Sequence, residues 1–416
     1  MTNALSELLQ ILQENNIMEL DDVRMRNMVE TMKKDIILRN HPYDIFLSTD
    51  NRWHTYVIDN GKRKPIAKAT REKVEDALVQ FYKEREVNSQ CTLKTLYNEW
   101  LDHKALHTTA SSYIRRIDDD WRRYYQNSYI IDIPIKKLEY LELDRWAHKI
   151  IKDYQLTKRQ FYNMQIIIKQ CLLYAVDKGM IIESPYEKVK VSSKLFLIPP
   201  KKEASTQVFL VDEQPKVEEE AYKDFEATSS VSPLAILLAF YTGLRVGEIV
   251  ALKFNDIEGN YLNIQRIEVK EQTQKKDGSW NTPKYIIVDH AKTNAGLRKV
   301  FLTSKAREII ELIKKVNLKN GYGNDEYIFV NDKGRIHAPS LTYRIKKCCK
   351  KAGISKKSMH KIRKTYISTL IDNNVSIDTI METVGHKDKR TTYGNYCFSR
   401  YSEKQTEDIL EKALCG

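Results

Sequence analysis

Residues 234–252 form an apolar run that is broken by Thr242-Gly243-Leu244-Arg245-Val246-Gly247-Glu248. A helix that is apolar all round has to be buried. A guanidinium cannot stay unpaired in such surroundings. Arg245 must therefore leave the core toward a cleft or be paired, and Glu248 is the available partner. Whatever this chain folds into, it is built around a buried helix that delivers a Gly-flanked cation to the edge of its core.

The chain has 416 residues, too many for one ordinary core, and predicts two or three domains. It carries 69 Lys and Arg against 56 Asp and Glu, a formal charge of +13. That balance favours polyanionic partners and salt-sensitive association. No stretch reaches the roughly 20 apolar residues of a membrane span, and the N-terminus lacks the basic head and apolar body of a signal peptide. A cytoplasmic protein is expected. The six cysteines, at 91, 171, 348, 349, 397 and 415, show no C-x-x-C spacing and read as reduced thiols. No metal site is expected from them or from the nine scattered histidines.

Along the chain, residues 1–42 read as a helical segment, with Leu5, Leu8, Leu9, Ile11 and Leu12 at helical spacing and a second helix over 21–39. It either packs on its neighbours or serves as a dimerisation or partner-binding helix. Residues 43–88 read as three short strands (44–47, 52–58 and 64–67) followed by a helix over 70–86 capped by Thr70. Lys62, Arg63, Lys64 and Lys68 on or beside the strands suit a sheet that enters a major groove; a solvated basic hairpin is the plain alternative. Residues 89–190 read as helices over 93–103, 111–125, 143–154 and 158–178. There Arg115, Arg116, Arg122 and Arg123 interleave with aromatics. The cations are the expected phosphate contacts, while the aromatics are expected in the core.

Residues 191–206, with Pro199-Pro200, Lys201 and Lys202, have the composition of an extended basic linker. From 207 to 416 the pattern gives a helix opening at Val211-Asp212-Glu213, then a three-stranded region over 255–303 with a polar, mobile insertion at 272–281. Helices follow over 304–316, 339–352, 360–373 and 377–383, then a short one bearing Tyr396 and a tail helix over 403–414 with an apolar stripe of Thr406, Ile409, Leu410 and Leu414.

The chemistry concentrates in the last third. His360-x-x-Arg363, then Gly385-His386, then Thr391-Thr392-Tyr393-Gly394-Asn395-Tyr396 supply cations and donors for the oxygens of a phosphate, together with a hydroxyl able to attack it. Lys292, in Ala291-Lys292-Thr293-Asn294, falls at a turn between strand-like stretches 285–288 and 299–302, so it is expected at a hairpin tip. Each short motif alone is weak. Taken in order, Arg245, Lys292, His360, Arg363, His386 and Tyr396 resemble the tyrosine recombinase (phage integrase) family, specifically from residue 207 onward and more loosely before it.

That resemblance implies a multidomain, mainly α fold with small β-sheets: an N-terminal α/β arm-binding-like domain, an all-α core-binding domain and an α+β catalytic domain. It implies that Tyr396, rather than Tyr393, attacks DNA to give a 3′-phosphotyrosine and a free 5′ hydroxyl. Arg245 and Arg363 would clamp the non-bridging oxygens, Lys292 would act as general acid, and His360 and His386 would bond the phosphate and position protons. No cofactor is implied. The implied partners are double-stranded DNA at attachment or transposon-end sites, further copies of the chain in a tetramer, and an accessory excision factor. A site-specific integrase of a phage or conjugative transposon fits best. A type IB topoisomerase and a non-catalytic DNA-binding protein on the same fold are the alternatives.

Overall fold

The computed structural model describes residues 23–59, 62–200, 202–275, 277–289, 296–386, 388–389, 394 and 396–415. The helix expected over 4–17 lies outside the described residues. Two compact units divide near Ile198.

In the first unit, helix α1 (Val23–Arg39) precedes an antiparallel meander of β1 (Phe46–Leu47), β2 (Trp53–Asp59) and β3 (Lys62–Lys68). Helix α2 (Arg71–Gln90) starts where the Thr70 side chain accepts the Lys73 N–H. Alternation along β2 buries Thr55 and Val57, and Val57 packs with Val74 and Leu78 of α2 into a small core. Edge strand β3 keeps Lys62, Arg63, Lys64 and Pro65 exposed, a position where a proline costs no ladder bond.

Four longer helices follow: α3 (Leu93–Leu106), α4 (Ser111–Tyr124), α5 (Tyr140–Asp153) and α6 (Lys158–Asp177). Capping boxes at Thr92/Thr95 and Thr157/Gln160 start α3 and α6. The aromatics of α3 and α4 form the core: Tyr97 stacks on Trp121 at 3.8 Å and Trp121 on Tyr125 at 5.4 Å. Tyr125 is fully buried, and its hydroxyl donates to the Met164 carbonyl at 2.9 Å. The stretch with linker composition is tied down in its first half. Phe196 packs on Phe161 with ring centroids 5.6 Å apart, and the Leu197 N–H donates to the Leu156 carbonyl at 3.0 Å.

In the second unit, α7 (Glu213–Thr228) leads to α8 (Ser232–Thr242), of which every residue but Tyr241 is buried. This is the apolar run of the sequence, packed among α7, α10 (Ser304–Lys319), α11 (Ala338–Lys351) and α12 (Met359–Asp372). Each buried Leu, Ile or Phe there contributes roughly 1.5–3 kcal/mol. Short helix α9 (Val246–Ile249) follows at once. Helices α13 (Ile377–Val384) and α14 (Glu403–Cys415) come after α12, and no residue of α14 is buried.

Three expectations need correction. Among its described residues, the region 255–303 holds five strands in two sheets: β4 (Ile257–Glu258), β5 (Tyr261–Ile264) and β8 (Arg298–Phe301) in one, β6 (Arg266–Glu271) and β7 (Lys284–Asp289) in the other. Among the described residues, strands β7 and β8 therefore pair with other strands and not with each other, while Lys292, expected at a hairpin tip, lies outside the described residues. Both stretches alternate correctly as strands, but the pattern cannot say which partner each takes. Finally, the polar insertion extends the β6–β7 ribbon with a bonded turn. Gln274 bridges Trp280, and the Asn281 N–H donates to the Thr273 carbonyl at 3.0 Å. A pair of short strands, β9 (Val330–Asn331) and β10 (Gly334–Arg335), went unread.

Candidate active site

The turn after α8 depends on two glycines for different reasons. Gly243 ends the helix at φ +62°, and a Cβ there would fall 2.3 Å from Cδ1 of Tyr366. Gly247 admits the backbone of β6, since a Cβ would lie 2.7 Å from the Glu268 carbonyl oxygen. Between them Arg245 sits at the N-cap of α9. Its N–H donates to Glu248 Oε2 at 2.9 Å and its Nη1 to Oε1 at 2.7 Å.

Glu248 is fully buried and binds a second arginine. Arg298 Nη1 and Nη2 donate to its two oxygens at 3.0 and 2.7 Å, and Arg298 Nε donates to the Thr383 carbonyl at 2.8 Å. Arg363, 1 % exposed, donates Nη1 to the Gly243 carbonyl at 2.9 Å and Nη2 to the Val384 carbonyl at 2.5 Å. Arg245 Nη2 reaches the Gly385 carbonyl at 3.3 Å. The arginines thus tie the turn at Gly243 to the turn at Gly385, which ends α13 at φ +68°. Two guanidiniums share one carboxylate and a third, that of Arg363, is bonded among the described residues only to backbone carbonyls, so positive charge remains in excess. Burial first, then repulsion from Arg245, lowers the Arg363 pKa to about 10, which still leaves it charged near neutral pH. Among the described residues, its Nε is a buried donor with no hydrogen-bond partner.

Tyr396 lies against this cluster. Its ring centroid is 4.6 Å from that of His386 and 5.5 Å from that of His360, the latter edge-on. The ring borders an apolar bed of Ile367, Ile380 and Val384. Burial pushes His386 down to about 4, with Arg363, Arg245, Arg298 and His360 acting in the same direction. His360 keeps an exposed edge, yet the atoms packed around its ring lower its pKa, ahead of Lys364, Arg363 and Arg245. Both imidazoles are neutral at pH 7 in the absence of an anion, with a net positive field around them. An anionic oxygen placed there would meet cations, neutral imidazole donors and a tyrosine hydroxyl.

The sequence pattern of the phage integrase family matches residues 209–403, which span this whole constellation. Residues 209–403 are a phage integrase family domain. A tyrosine recombinase XerC-like protein of Caldanaerobacter subterraneus subsp. tengcongensis is 28% identical over 326 residues, covering 73% of this chain and 78% of that protein. The fold is that of solved integrases. A Tn1549 transposon integrase fragment in complex with transposon right end DNA aligns with a TM-score of 0.56 at 16% identity, covering 78% of this chain and 100% of that one. A lambda integrase tetramer bound to a Holliday junction aligns with a TM-score of 0.52 at 16% identity, covering 88% and 97%.

Within this integrase domain, the structure brings together Arg245, Arg363, His360, His386 and Tyr396. Lys292, Thr391, Thr392, Tyr393 and Lys201 lie outside the described residues. Of the residues read as DNA contacts, Lys62, Lys68 and Lys202 are exposed. Lys64 pairs with Asp59 at 2.5 Å, and Arg63 stacks on Tyr56 with its guanidinium carbon 3.7 Å from the ring centroid. On α4, Arg115 pairs with Asp119 at 3.0 Å and Arg122 with Asp118 at 2.9 Å, while Arg116 and Arg123 lie over Tyr113 and Tyr124. The exposed pairs among these, Lys64–Asp59 and Arg115–Asp119, are worth at most about 1 kcal/mol and exchange readily for phosphate, whereas Asp118 is buried beneath Arg122.

Sequence reasoning missed Arg298, Lys364, Ser368 and Arg400. Lys364 Nζ lies 5.8 Å from the Tyr396 ring centroid. The signal for it was present: His360, Lys364 and Ser368 are spaced four apart in a helix. Arg298 and Arg400 carried no such signal, because their partners are distant in sequence, Arg298 meeting Glu248 across 50 positions and Arg400 meeting Gln214 across 186.

Proposed function

We propose that the chain is a site-specific recombinase that integrates and excises a mobile element by breaking and rejoining DNA through Tyr396. The observation that carries this reading is the convergence of His386, His360 and the Arg245–Arg363 pair on Tyr396, with ring centroids 4.6 and 5.5 Å from the two histidines. The Tyr396 hydroxyl attacks the scissile phosphate and gives its proton to a neutral imidazole beside it, its oxygen becomes esterified to the 3′ phosphate, and the 5′ oxygen leaves as a hydroxyl after taking a proton. A 5′ hydroxyl from a partner strand then attacks the phosphotyrosine and frees the tyrosine. The bond energy stays in the ester, so the exchange needs no external energy source.

Arg245 is the clamp for one non-bridging oxygen, since its guanidinium is about a third exposed and its charge acts on both histidines that flank the tyrosine. Arg363 contributes charge from below and a vacant Nε donor, and it holds the two turns together. The histidines donate to the phosphate and gain basicity once its negative charge arrives. Lys292 is the general acid in this reading, by family resemblance.

The sheet of residues 43–88 and the helices of 89–190 add DNA contacts through the cations named above, with catalysis in 207–416. DNA-bound copies assemble as a tetramer in the bacterial cytoplasm, and an accessory factor biases excision. In support, the solved relatives include an integrase on transposon-end DNA and a tetramer on a Holliday junction. Among the described residues no helix is long and apolar enough to cross a membrane.

The test is a nicked duplex carrying the ends of the element that encodes the chain. A covalent protein–DNA adduct is expected on a denaturing gel from the wild type and from Tyr393→Phe. None is expected from Tyr396→Phe. An adduct that survives Tyr396→Phe would overturn the assignment of the nucleophile. Exchange of strands between two duplexes, rather than relaxation alone, separates a recombinase from a topoisomerase.

A further inference from the structure

Helix α12 presents His360, Lys364 and Ser368 on one face, and each touches a different part of the segment 396–398. His360 meets the Tyr396 ring edge-on. Lys364 Nζ lies 5.8 Å from the Tyr396 ring centroid and 4.7 Å from that of Phe398, and it donates to Gln207 Oε1 at 3.0 Å. Ser368 Oγ donates to the Tyr396 carbonyl at 2.8 Å and accepts the Phe398 N–H at 3.3 Å. Just beyond, Arg400 donates Nη1 to Thr369 Oγ1, the next residue of the helix, and Nη2 to Gln214 Oε1 at 2.9 Å. Its own carbonyl accepts the Val211 N–H at 2.9 Å.

We propose that Lys364 and Ser368 are positioning residues that seat the nucleophile segment on α12, fixing where the Tyr396 hydroxyl stands relative to the arginine cluster. The inference rests on Tyr396 being the nucleophile. Ser368 is 1 % exposed and Lys364 7 %, so neither side chain is placed to contact DNA. The serine hydroxyl spends both its donor and its acceptor capacity on the backbone at 396 and 398, which sets the segment's register along the helix. The lysine's hydrogen-bond partner is a neutral amide, so its charge is directed at two aromatic faces. Burial lowers its pKa, ahead of repulsion from Lys202 and Lys361. Tyr396 also has rotatable bonds between its backbone and its hydroxyl, so the seat must hold both ends: Ser368 the backbone, Lys364 and His360 the ring.

Three variants test this: Ser368→Ala, Lys364→Met, which keeps the aliphatic stem, and Lys364→Arg, which keeps the charge. At saturating nicked duplex and in a single turnover, Ser368→Ala and Lys364→Met are expected to form the covalent adduct at least about tenfold more slowly, the scale set by small displacements of a reacting group. Their DNA dissociation constants are expected to stay within about twofold of wild type, and Lys364→Arg is expected to recover most of the rate. Wild-type rates in both variants overturn the proposal. So does a loss of DNA affinity that parallels the loss of rate, because it would make Lys364 a DNA contact. Amide hydrogen exchange without DNA provides a readout that does not depend on activity: the Phe398 N–H should exchange about tenfold faster in Ser368→Ala, as expected for a lost hydrogen bond of ordinary strength. Unchanged exchange there overturns the seat itself. If the wild type forms no adduct while exchange responds as expected, the nucleophile assignment fails and the seat stands as structure alone.

Discussion

Arg298 and Glu248 form a buried fork-to-fork pair: Nη1 meets Oε1 at 3.0 Å and Nη2 meets Oε2 at 2.7 Å, with the carboxylate fully buried and the guanidinium 5% exposed. The same carboxylate takes Nη1 and the backbone N–H of Arg245, so one glutamate orients an arginine of the candidate site and is itself oriented by another. Glu248→Gln removes the charge that offsets both guanidiniums. The cost of breaking such a buried pair is about 3–5 kcal/mol. Arg298→Lys should not restore it, since a point charge cannot replace the planar fork. Equilibrium denaturation checks the stability loss, and a wild-type midpoint for Glu248→Gln would show that the pair carries no net weight.

The two glycines of the Arg245 turn separate two kinds of damage. Gly247→Ala sets a methyl 2.7 Å from the Glu268 carbonyl, where the obstacle is backbone and the β6 strand must shift. A loss of about 1–3 kcal/mol is expected, in the range for overpacking. Gly243→Ala meets the Tyr366 ring at 2.3 Å and also imposes a left-handed conformation on a residue with a Cβ. Combining it with Tyr366→Leu should return part of the loss by removing the ring and leave the backbone part, about 1–2 kcal/mol. Thermal melts of the two single variants and the double variant separate these contributions.

What the sequence disclosed and what it hid follow from the range of the interactions. The α8 run was legible because burial of a helix on all sides leaves an unbroken apolar stretch, and the pairing of Arg245 with Glu248 was legible because the partners are three residues apart on one turn. The strands at 285–288 and 299–302 were legible as strands, but their partners were not. Period-two alternation records which face is buried and says nothing of which neighbour supplies the ladder. Reading them as one hairpin followed from their closeness in sequence, whereas β7 returns along β6 and β8 pairs with β5. Arg400 was invisible for the same reason: its partners Gln214 and Thr369 lie 186 and 31 positions away.

The arginines of α4 offer a test of DNA contact that does not depend on catalysis. Arg116 and Arg123 rest on aromatic rings, so replacing both by Gln should leave the helix folded. If each neutralises one phosphate, the dependence of log affinity on log salt should become shallower by roughly 0.9 per residue removed. Arg122 is the wrong residue for this test, because its partner Asp118 is buried and would be left with an uncompensated charge. An unchanged salt slope for the double variant would remove α4 from the DNA-contacting surface.

The depressed histidines predict a pH signature of stability and a matching one of DNA binding. His386 stands at about 4 in the folded chain against an ordinary 6.5, and His360 is lowered as well. Below 6.5 the unfolded chain takes up protons that the folded chain refuses, so their effect is to lower stability as pH falls from about 6.5 toward 4, with nothing lost above that window. His386→Asn should flatten this decline in denaturation midpoints. A phosphate brought against the same rings reverses their surroundings, because its charge favours the imidazolium. DNA binding near pH 6 should therefore be accompanied by proton uptake, read by calorimetry in buffers of different ionisation enthalpy. The uptake should shrink in His386→Asn. Binding with no proton uptake at that pH would place the scissile phosphate away from both histidines, and the reading of Tyr396 as its attacker would lose the geometry on which it stands.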